Sequence, residues 1–415
     1  MRVTIGGAGI GGLTAALSLQ AAGVRDVQVL EAAHEVREIG VGVNLPPHAV
    51  RELTELGLGD ALAEIGLITS ELSYYDPNGH LIWSEPRGRN AGYHWPQYSV
   101  HRGRLQGMLM TAVLQRLGKS AIHTGKRVMR VDCAQSQSVA VDVCDVTTGG
   151  MERWESNVYV AADGIRSTSR SSIVGPNVSL ASNGWVMYRG ATAHAPFLSG
   201  SSMVIVGDEK LRIVVYPLDH GTLNWLLVRP LKEGETFGEL GHWNLPVDAA
   251  SAATYVADWH FDWLDVPEMV RQTPNVYVYP MADLDPLPRW HLNCATLLGD
   301  AAHAMYPFGS NGASQAILDA RVLAYYLAQS RSDPRVGLRR YEAERRETVA
   351  AVQLANRQQA GDVMAKVSAL ARSNAFDQAQ EALHAVEQKY KRLAGFDVEG
   401  LNRRASWSVT SASAG

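Results

Sequence analysis

The opening of the chain constrains its fold more than any other stretch. A short apolar strand, Val3 to Ile5, runs straight into Gly7-Ala8-Gly9-Ile10-Gly11-Gly12, and a helical pattern follows through Leu13, Ala16, Leu17 and Leu19. A second strand, Val27 to Leu30, ends in Glu31. This order of strand, glycines, helix, strand and terminal acid is a βαβ unit that holds the ADP half of a dinucleotide. Gly7 permits the tight turn out of the strand, Gly9 lets the backbone approach a pyrophosphate, and Gly12 lets the helix pack close to the strand. The helix N-terminus offers free N–H groups to the phosphates. Glu31, nineteen residues beyond Gly12, is placed to accept the ribose hydroxyls.

Composition narrows the class. The 415 residues suffice for two or three packed units. Apolar residues make up 46% and charged residues 19%, as in an ordinary globular enzyme. With 38 basic and 42 acidic residues, a net charge of −4 and no basic run, the chain offers no nucleic-acid surface and no anionic-membrane anchor. No charged segment with an apolar core precedes the first strand, and no apolar run reaches the roughly 20 residues that span a bilayer. Cys133, Cys144 and Cys294 show no CxxC spacing, which excludes a redox dithiol or a zinc knuckle; Cys294 reads as plain core. The histidines lack ligand spacing, so no metal is expected. These features describe a cytoplasmic enzyme, and they leave room for a homodimer.

Two further strands end in an acid. Val158 to Ala162 runs into Asp163-Gly164, with Arg166 nearby, and Ala295 to Leu298 runs into Gly299-Asp300. Asp163 is either a turn former or helix cap, or an acid held near the cofactor. Asp300 can hydrogen-bond a polyol chain. After it come Pro307-Phe308-Gly309-Ser310-Asn311-Gly312-Ala313, a loop whose backbone can lie against a flat ring. The helix that begins near Gly312 aims its positive end there, where it would stabilise charge on the N1–C2=O edge of a reduced flavin. A polyol chain and a ring that becomes anionic describe FAD better than NAD.

Between these motifs lie strand-like, aromatic-rich segments, among them Leu72–Asp76, Leu81–Trp83, Trp185–Ala193, Leu211–Pro217 and Leu223–Val228. The expected fold class is therefore α/β: a discontinuous Rossmann-like FAD-binding domain (1–70, 100–178 and 285–330), an inserted β-rich substrate domain (71–99 and 179–284), C-terminal helices (331–405) and a flexible Ser/Ala-rich tail (406–415).

The three motifs, in this order and spacing, resemble the single-component FAD-dependent aromatic hydroxylases typified by para-hydroxybenzoate and salicylate hydroxylases, over nearly the whole chain. Gly40-Val41-Gly42-Val43-Asn44, Trp83-Ser84-Glu85-Pro86-Arg87-Gly88, Pro96 to Gly103 and Asn311 to Asp319 resemble, within that class, the 5-methylphenazine-1-carboxylate 1-monooxygenase branch. The resemblance implies FAD contacts at Gly12, Glu31, Arg102, Asp163 and Asp300, with Gly312 and Ala313 lining the isoalloxazine. Where the broader family has Gly-Gln-Gly, this chain has Ser310-Asn311-Gly312. The implied cycle uses NADH or NADPH to reduce the flavin and O2 to form a C4a-hydroperoxide, which hydroxylates an electron-rich ring. No side chain is needed as acid, base or nucleophile.

The substrate is expected between the β-rich layer and the flavin, with Tyr188, Arg189, Tyr216, Trp225, Tyr279, Met281, Met305 and Pro307 as candidate walls. Each aromatic or Met has core packing as its alternative. Arg189 could meet a substrate carboxylate or a structural acid. Three enzymatic outcomes suit the fold: oxygenation of a phenazine-like ring, decarboxylative hydroxylation of a salicylate, or oxidation of a polyketide or tetracycline-type ring. A non-catalytic flavin-fold binding protein is the reading from another class, and the intact glycines, Asp163 and Asp300 argue against it.

Overall fold

A sheet that is parallel except for its edge strand His291–Leu292 brings the three motifs together. The computed structural model describes residues 1–35, 41–237, 245–360 and 362–409. Its first sheet runs His291–Leu292, Ala295–Leu297, Val158–Ala161, Arg2–Gly6, Asp26–Glu31 and Ile122–Thr124 in order. Arg2–Gly6 pairs in parallel with both Val158–Ala161 and Asp26–Glu31, and Ala295–Leu297 joins in parallel beyond. Segments 150 residues apart in sequence thus end side by side, at the C-terminal edge where open α/β sheets bind ligands. Val3, Ile5, Val27, Val29, Val158 and Val160 are all buried. Both sheet faces are covered, as parallel sheets require. The helices Ile10–Ala21 and Gly312–Gln329 and the meander from Lys126 to Ser156 share this core.

The second sheet has eight strands, in the order Leu245–Val247, Val276–Asp283, Ala181–Ala193, Thr222–Pro230, Arg212–Asp219, Ser202–Gly207, Glu71–Tyr75 and Leu81–Pro86. Successive residues point to opposite faces, so the pairings define two rows. Val186, Tyr188, Trp225 and Leu227 pack with the helices Ala249–Ala253 and Val266–Arg271 on the outer face. Met187, Arg189, Leu226, Val214 and Tyr216 occupy the inner face.

The C-terminal helices cover part of that inner face. Met364, Val367 and Leu383, from the helices Asp362–Arg372 and Phe376–Leu393, pack against Leu72, Trp83 and Met203. A buried ionic cluster fixes the register: Lys391 Nζ donates to both Glu85 oxygens at 2.8 and 2.9 Å, and Arg87 bridges Glu85 and Glu387. Such buried pairs specify an orientation more than they stabilise.

Ser406 to Val409, the described start of the expected tail, is docked. Trp407 meets Tyr325 and Tyr326, and the Ser408 hydroxyl accepts from Arg321 at 2.8 Å. Residues 410–415 and Gly40 lie outside the described residues. Among the described residues, no helix is long and apolar enough to cross a membrane, and no group of His, Cys, Asp and Glu is placed to hold a metal. Cys133 and Cys294 are buried free thiols, and burial pushes Cys133 up to about 11.

Candidate active site

The glycine turn opens into a cleft of about 340 Å³ lined by Gly7, Gly9, Glu31, Gln106, Asp163 and Arg166, among others. Each glycine has its own steric reason. Gly7 has φ +104°, and a Cβ there would lie 2.4 Å from the Ala162 carbonyl oxygen. A Cβ on Gly12 would lie 2.0 Å from the Gly7 carbonyl oxygen. At Gly9 a Cβ would meet no described residue within 4 Å, and the position lines the cleft. Glu31 braces the turn, its two oxygens accepting from the Ala8 and Ala33 N–H groups at 2.8 Å. Gln106 donates to the Ala8 carbonyl from the other side.

The two Asp163 oxygens differ in their surroundings. Oδ2 accepts from the Ser169 N–H and hydroxyl at 3.2 and 2.9 Å, at the start of the helix Arg170–Val174. Oδ1 is buried with no hydrogen-bond partner among the described residues, beside the cleft. An orphaned buried acceptor, a bare Gly9 and a glycine-walled cleft fit a bound dinucleotide.

Sequence reasoning missed Arg170, which ties the second motif to the third. The buried guanidinium donates to the Ala301, Ile165 and Asp300 carbonyls at 2.8, 2.8 and 3.2 Å. Burial works against its charge, and the Asp163 and Asp300 carboxylates support it. The signal in sequence was its place seven residues after Asp163. Asp300 itself is exposed at the strand end. Its charge acts on Arg102, as does the like charge of Arg189, so these three share one end of the site. Gly312 and Ala313 open the helix Gly312–Gln329, both half-buried.

Next to this end, between the inner sheet face and the C-terminal helices, lies a cavity of about 70 Å³. Its walls include Met187, Met203, Arg212, Pro307, Phe308 and Met364. Of the expected wall residues only Pro307 is among them. Arg189, Tyr216, Tyr279 and Met281 occupy the same sheet face but pack closely: Arg189 lies 5.1 Å from the Tyr279 ring centre, Tyr279 donates to Met187 Sδ, and Tyr216 meets Gly42. Met305 packs under the loop against the cluster of Tyr93, Tyr390 and Phe396.

Tyr188 and Trp225 correct the sequence expectation, for they lie on the outer face. Trp225 Nε1 donates to Thr273 at 2.8 Å, and Tyr188 is enclosed by Tyr255, Phe237 and Arg229. The alternation that puts Met187 and Leu226 inward turns their neighbours away. Arg212 was missed although it carries the signal used for Arg189, an arginine inside an apolar strand. It lies in the corner between two rings that meet edge to face, with its guanidinium carbon 5.2 and 4.7 Å from the Trp185 and Phe308 ring centres. Burial lowers it to about 10, so it stays cationic at neutral pH.

Beneath the loop, His48 is fully buried and held near a pKa of about 3, first by burial and then by the charges of Arg404, Arg345 and Arg51, against the bond to Asn311. Between about 6.5 and 3 the unfolded chain takes up a proton that the folded site refuses. Stability should therefore fall by about 1.4 kcal/mol per pH unit as pH drops through this window, with no contribution above it. Denaturation curves from pH 7 to 4 should show that slope, and a His48→Asn variant should lose it.

The FAD-binding-domain family matches residues 1–215 and 286–355. The phenazine 1,6-dicarboxylic acid hydroxylase of Lysobacter antibioticus is 43% identical over 364 residues, covering 86% of this chain and 89% of that protein. The 3-hydroxybenzoate 6-hydroxylase 1 of Aquipseudomonas alcaligenes is 30% identical over 367 residues, covering 86% and 87%. Among solved structures, Klebsiella pneumoniae HpxO complexed with FAD and uric acid shares the fold with a TM-score of 0.77 at 24% identity, over 95% of this chain and 96% of that one. A salicylate hydroxylase substrate complex does so with a TM-score of 0.76 at 20% identity, over 99% and 98%. The chain belongs to the FAD-binding-domain family and is an FAD-dependent aromatic monooxygenase that uses NAD(P)H and O2.

Proposed function

We propose that this enzyme hydroxylates a fused, phenazine-like aromatic carboxylate. The observation that carries the reading is the apolar cavity against the Pro307–Ser310 loop with Arg212, held against Trp185 and Phe308, in its wall. The likeness to a phenazine dicarboxylic acid hydroxylase supports it. In this reading Gly7, Gly9, Gly12 and Glu31 hold the ADP half of FAD. Arg102, Asp163 and Asp300 hold its middle, and Gly312 and Ala313 lie against the ring. When bound, FAD supplies the redox chemistry, taking electrons from NAD(P)H and activating O2 for transfer of one oxygen atom to the substrate.

The protein's own work is binding, orientation and exclusion of water. Arg212, which Trp185 and Phe308 fix in place, receives the substrate carboxylate by charge-assisted hydrogen bonds. The cavity is small for a tricyclic ring, so Met203 and Met364 must swing aside on entry. Unbranched thioethers do this at little cost. The buried free thiols suit a reducing, cytoplasmic setting.

Arg212→Ala should weaken binding of a carboxylated ring by about 10- to 100-fold, the loss of a hydrogen bond to a charged group. An uncarboxylated analogue should be nearly unaffected. Flavin difference spectra during titration measure both, and equal effects on the two ligands would refute the assignment. The function itself is tested by aerobic turnover of FAD-loaded protein with NADH, then NADPH, against phenazine carboxylates, naphthoic acids and salicylates. A phenazine carboxylate should accelerate nicotinamide oxidation and gain one oxygen atom. Productive turnover confined to salicylates would replace the fused ring by a monocyclic one.

A further inference from the structure

The Ser310-Asn311-Gly312 departure in the ring loop and the long helix Phe376–Leu393 meet in one place. The loop rests on a buried cluster drawn from three distant segments. His48 Nε2 donates to Asn311 Oδ1 at 3.0 Å, and the imidazole stacks on Phe396 with ring centres 4.6 Å apart and an 8° tilt. Tyr390, from the Phe376–Leu393 helix, stands against the Phe396 edge. Its hydroxyl lies beside the Asn311 and Asn356 side chains without a well-aligned bond to either. Asn356 in turn donates to the Tyr306 carbonyl at 3.1 Å. His48, Asn311, Asn356, Tyr390 and Phe396 are all buried.

The contact with the loop backbone is direct. A Cβ built on Gly309 would fall 1.9 Å from the Tyr390 hydroxyl oxygen and 2.7 Å from Asn356 Oδ1. Ser310, the next residue, has φ +48°, a left-handed conformation that a non-glycine residue holds only where its surroundings impose it. Asn311 then occupies the N-cap position of the helix that starts at Gly312, its carbonyl accepting from the Gln315 N–H at 2.9 Å. Neutral His48 suits its part, since burial keeps its ring in a form with one N–H to give.

We propose that His48, Asn311 and Tyr390 form a buried bracket through which the Phe376–Leu393 helix sets the shape of the 307–312 loop, and thereby the seating of the flavin ring. The three are positioning residues. Asn311 suits the bracket because it reaches His48 from the N-cap while leaving the helix entrance intact. The same helix carries Leu383 and Glu387 into the wall of the substrate cavity. One rigid element therefore spans the ring loop and the substrate wall. The link to the flavin rests on the placement of the ring under Proposed function; the hold on the loop does not.

The test uses Gly309→Ala, Tyr390→Leu and the double variant. In FAD-free protein, amide hydrogen exchange is measured over residues 304–315. After FAD loading, the visible flavin spectrum and the peroxide released per NADH consumed are measured. Gly309→Ala should speed exchange in the loop by about tenfold or more, as local opening becomes easier. It should also shift the flavin bands and raise the peroxide share several-fold. In the Tyr390→Leu background, where the two closest collisions are gone and only the tip of Asn356 must give, adding Gly309→Ala should change exchange several-fold less than it does in the unmodified protein, the non-additivity of residues in contact. Tyr390→Phe, which keeps the packing of the ring, should fold normally and show a milder shift of the same sign.

Wild-type exchange in Gly309→Ala, or strictly additive effects in the double variant, would overturn the bracket. A loosened loop with an unchanged flavin spectrum and unchanged coupling would overturn its link to the flavin. Absence of oxygenated product from the unmodified enzyme with every aromatic acid would count against the proposed substrate alone.

Discussion

Alanine at Gly7 should leave a protein that purifies without flavin, with its FAD affinity reduced by at least about a hundredfold, or roughly 3 kcal/mol. Two costs combine. The backbone at Gly7 has φ +104°, which for an L-residue with a side chain costs on the order of 1–3 kcal/mol. The new methyl would also sit 2.4 Å from the Ala162 carbonyl oxygen and 2.8 Å from its carbon. Backbone cannot swing aside as a side-chain tip does, so the ends of the strands Arg2–Gly6 and Val158–Ala161 must part. These strand ends form the wall of the cleft. Gly9→Ala separates stability from binding, because its methyl would meet no atom of the described residues within 4 Å. The Gly9 variant should melt as the unmodified apoprotein does, yet bind FAD poorly because the methyl occupies the cleft. Fluorescence titration with FAD and a thermal melt of each apoprotein give the comparison. Normal FAD affinity in Gly9→Ala would mean that the pyrophosphate does not pass this residue.

Asp319→Ala should destabilise the fold by about 3–5 kcal/mol, the cost of leaving buried charge unpaired. Asp319 is fully buried on the Gly312–Gln329 helix. One oxygen accepts from His303 Nε2 at 2.5 Å and from the Gly299 N–H at 3.2 Å. The other accepts from Arg345 Nε at 2.9 Å. Without the carboxylate, the Arg345 guanidinium keeps the neutral Gln315 side-chain oxygen and has no carboxylate partner among the described residues, and the Gly299-Asp300 turn loses an anchor. Urea denaturation should show the loss directly, and FAD retention should fall with it because Asp300 is carried on that turn.

The pH dependence has a definite sign. Burial raises the Asp319 pKa, but the His303 and Arg345 charges outweigh it and hold the carboxyl below its usual range. A depressed carboxylate contributes stability that is present above the unfolded value near 4 and is lost as pH falls through the folded value. The stability gap between the unmodified protein and Asp319→Asn should therefore be full at pH 6 and narrow below about pH 4. A gap that stays constant down to pH 3 would show that the carboxylate charge is not what the cluster needs.

The dinucleotide unit was legible in the sequence because its requirements are local. A turn at φ +104° and a helix packed against a strand can be met only by glycine at Gly7 and Gly12, and Glu31 follows at the end of the next strand. The acids Asp163 and Asp300 could be recognised for a related reason, since each stands just beyond an apolar strand. Their being neighbours was a matter of strand order, which puts Val158–Ala161 between Arg2–Gly6 and Ala295–Leu297. The separate roles of the two Asp163 oxygens emerged only with Ser169 in place.

The substrate wall was much less legible. Alternation along Ala181–Ala193 is visible in sequence, but nothing local says which parity faces the cofactor. That depends on what packs on each side: two short helices cover the face of Tyr188 and Trp225, and the ring loop and C-terminal helices cover the face of Met187 and Arg212. Tyr188 and Trp225, expected as walls, accordingly pack on the outer face, while Arg212 and Met364, which the sequence reading does not name, line the inner cavity. The sequence by itself determined a bound dinucleotide, a flavin-type ring loop and an inserted β-rich layer, because each is encoded by backbone demands within a few residues. Only the tertiary structure decided which side chains line the cavity beside the ring loop and that Tyr390 of the C-terminal helices packs against that loop, because those contacts join residues from about 50 to 260 positions apart through packing.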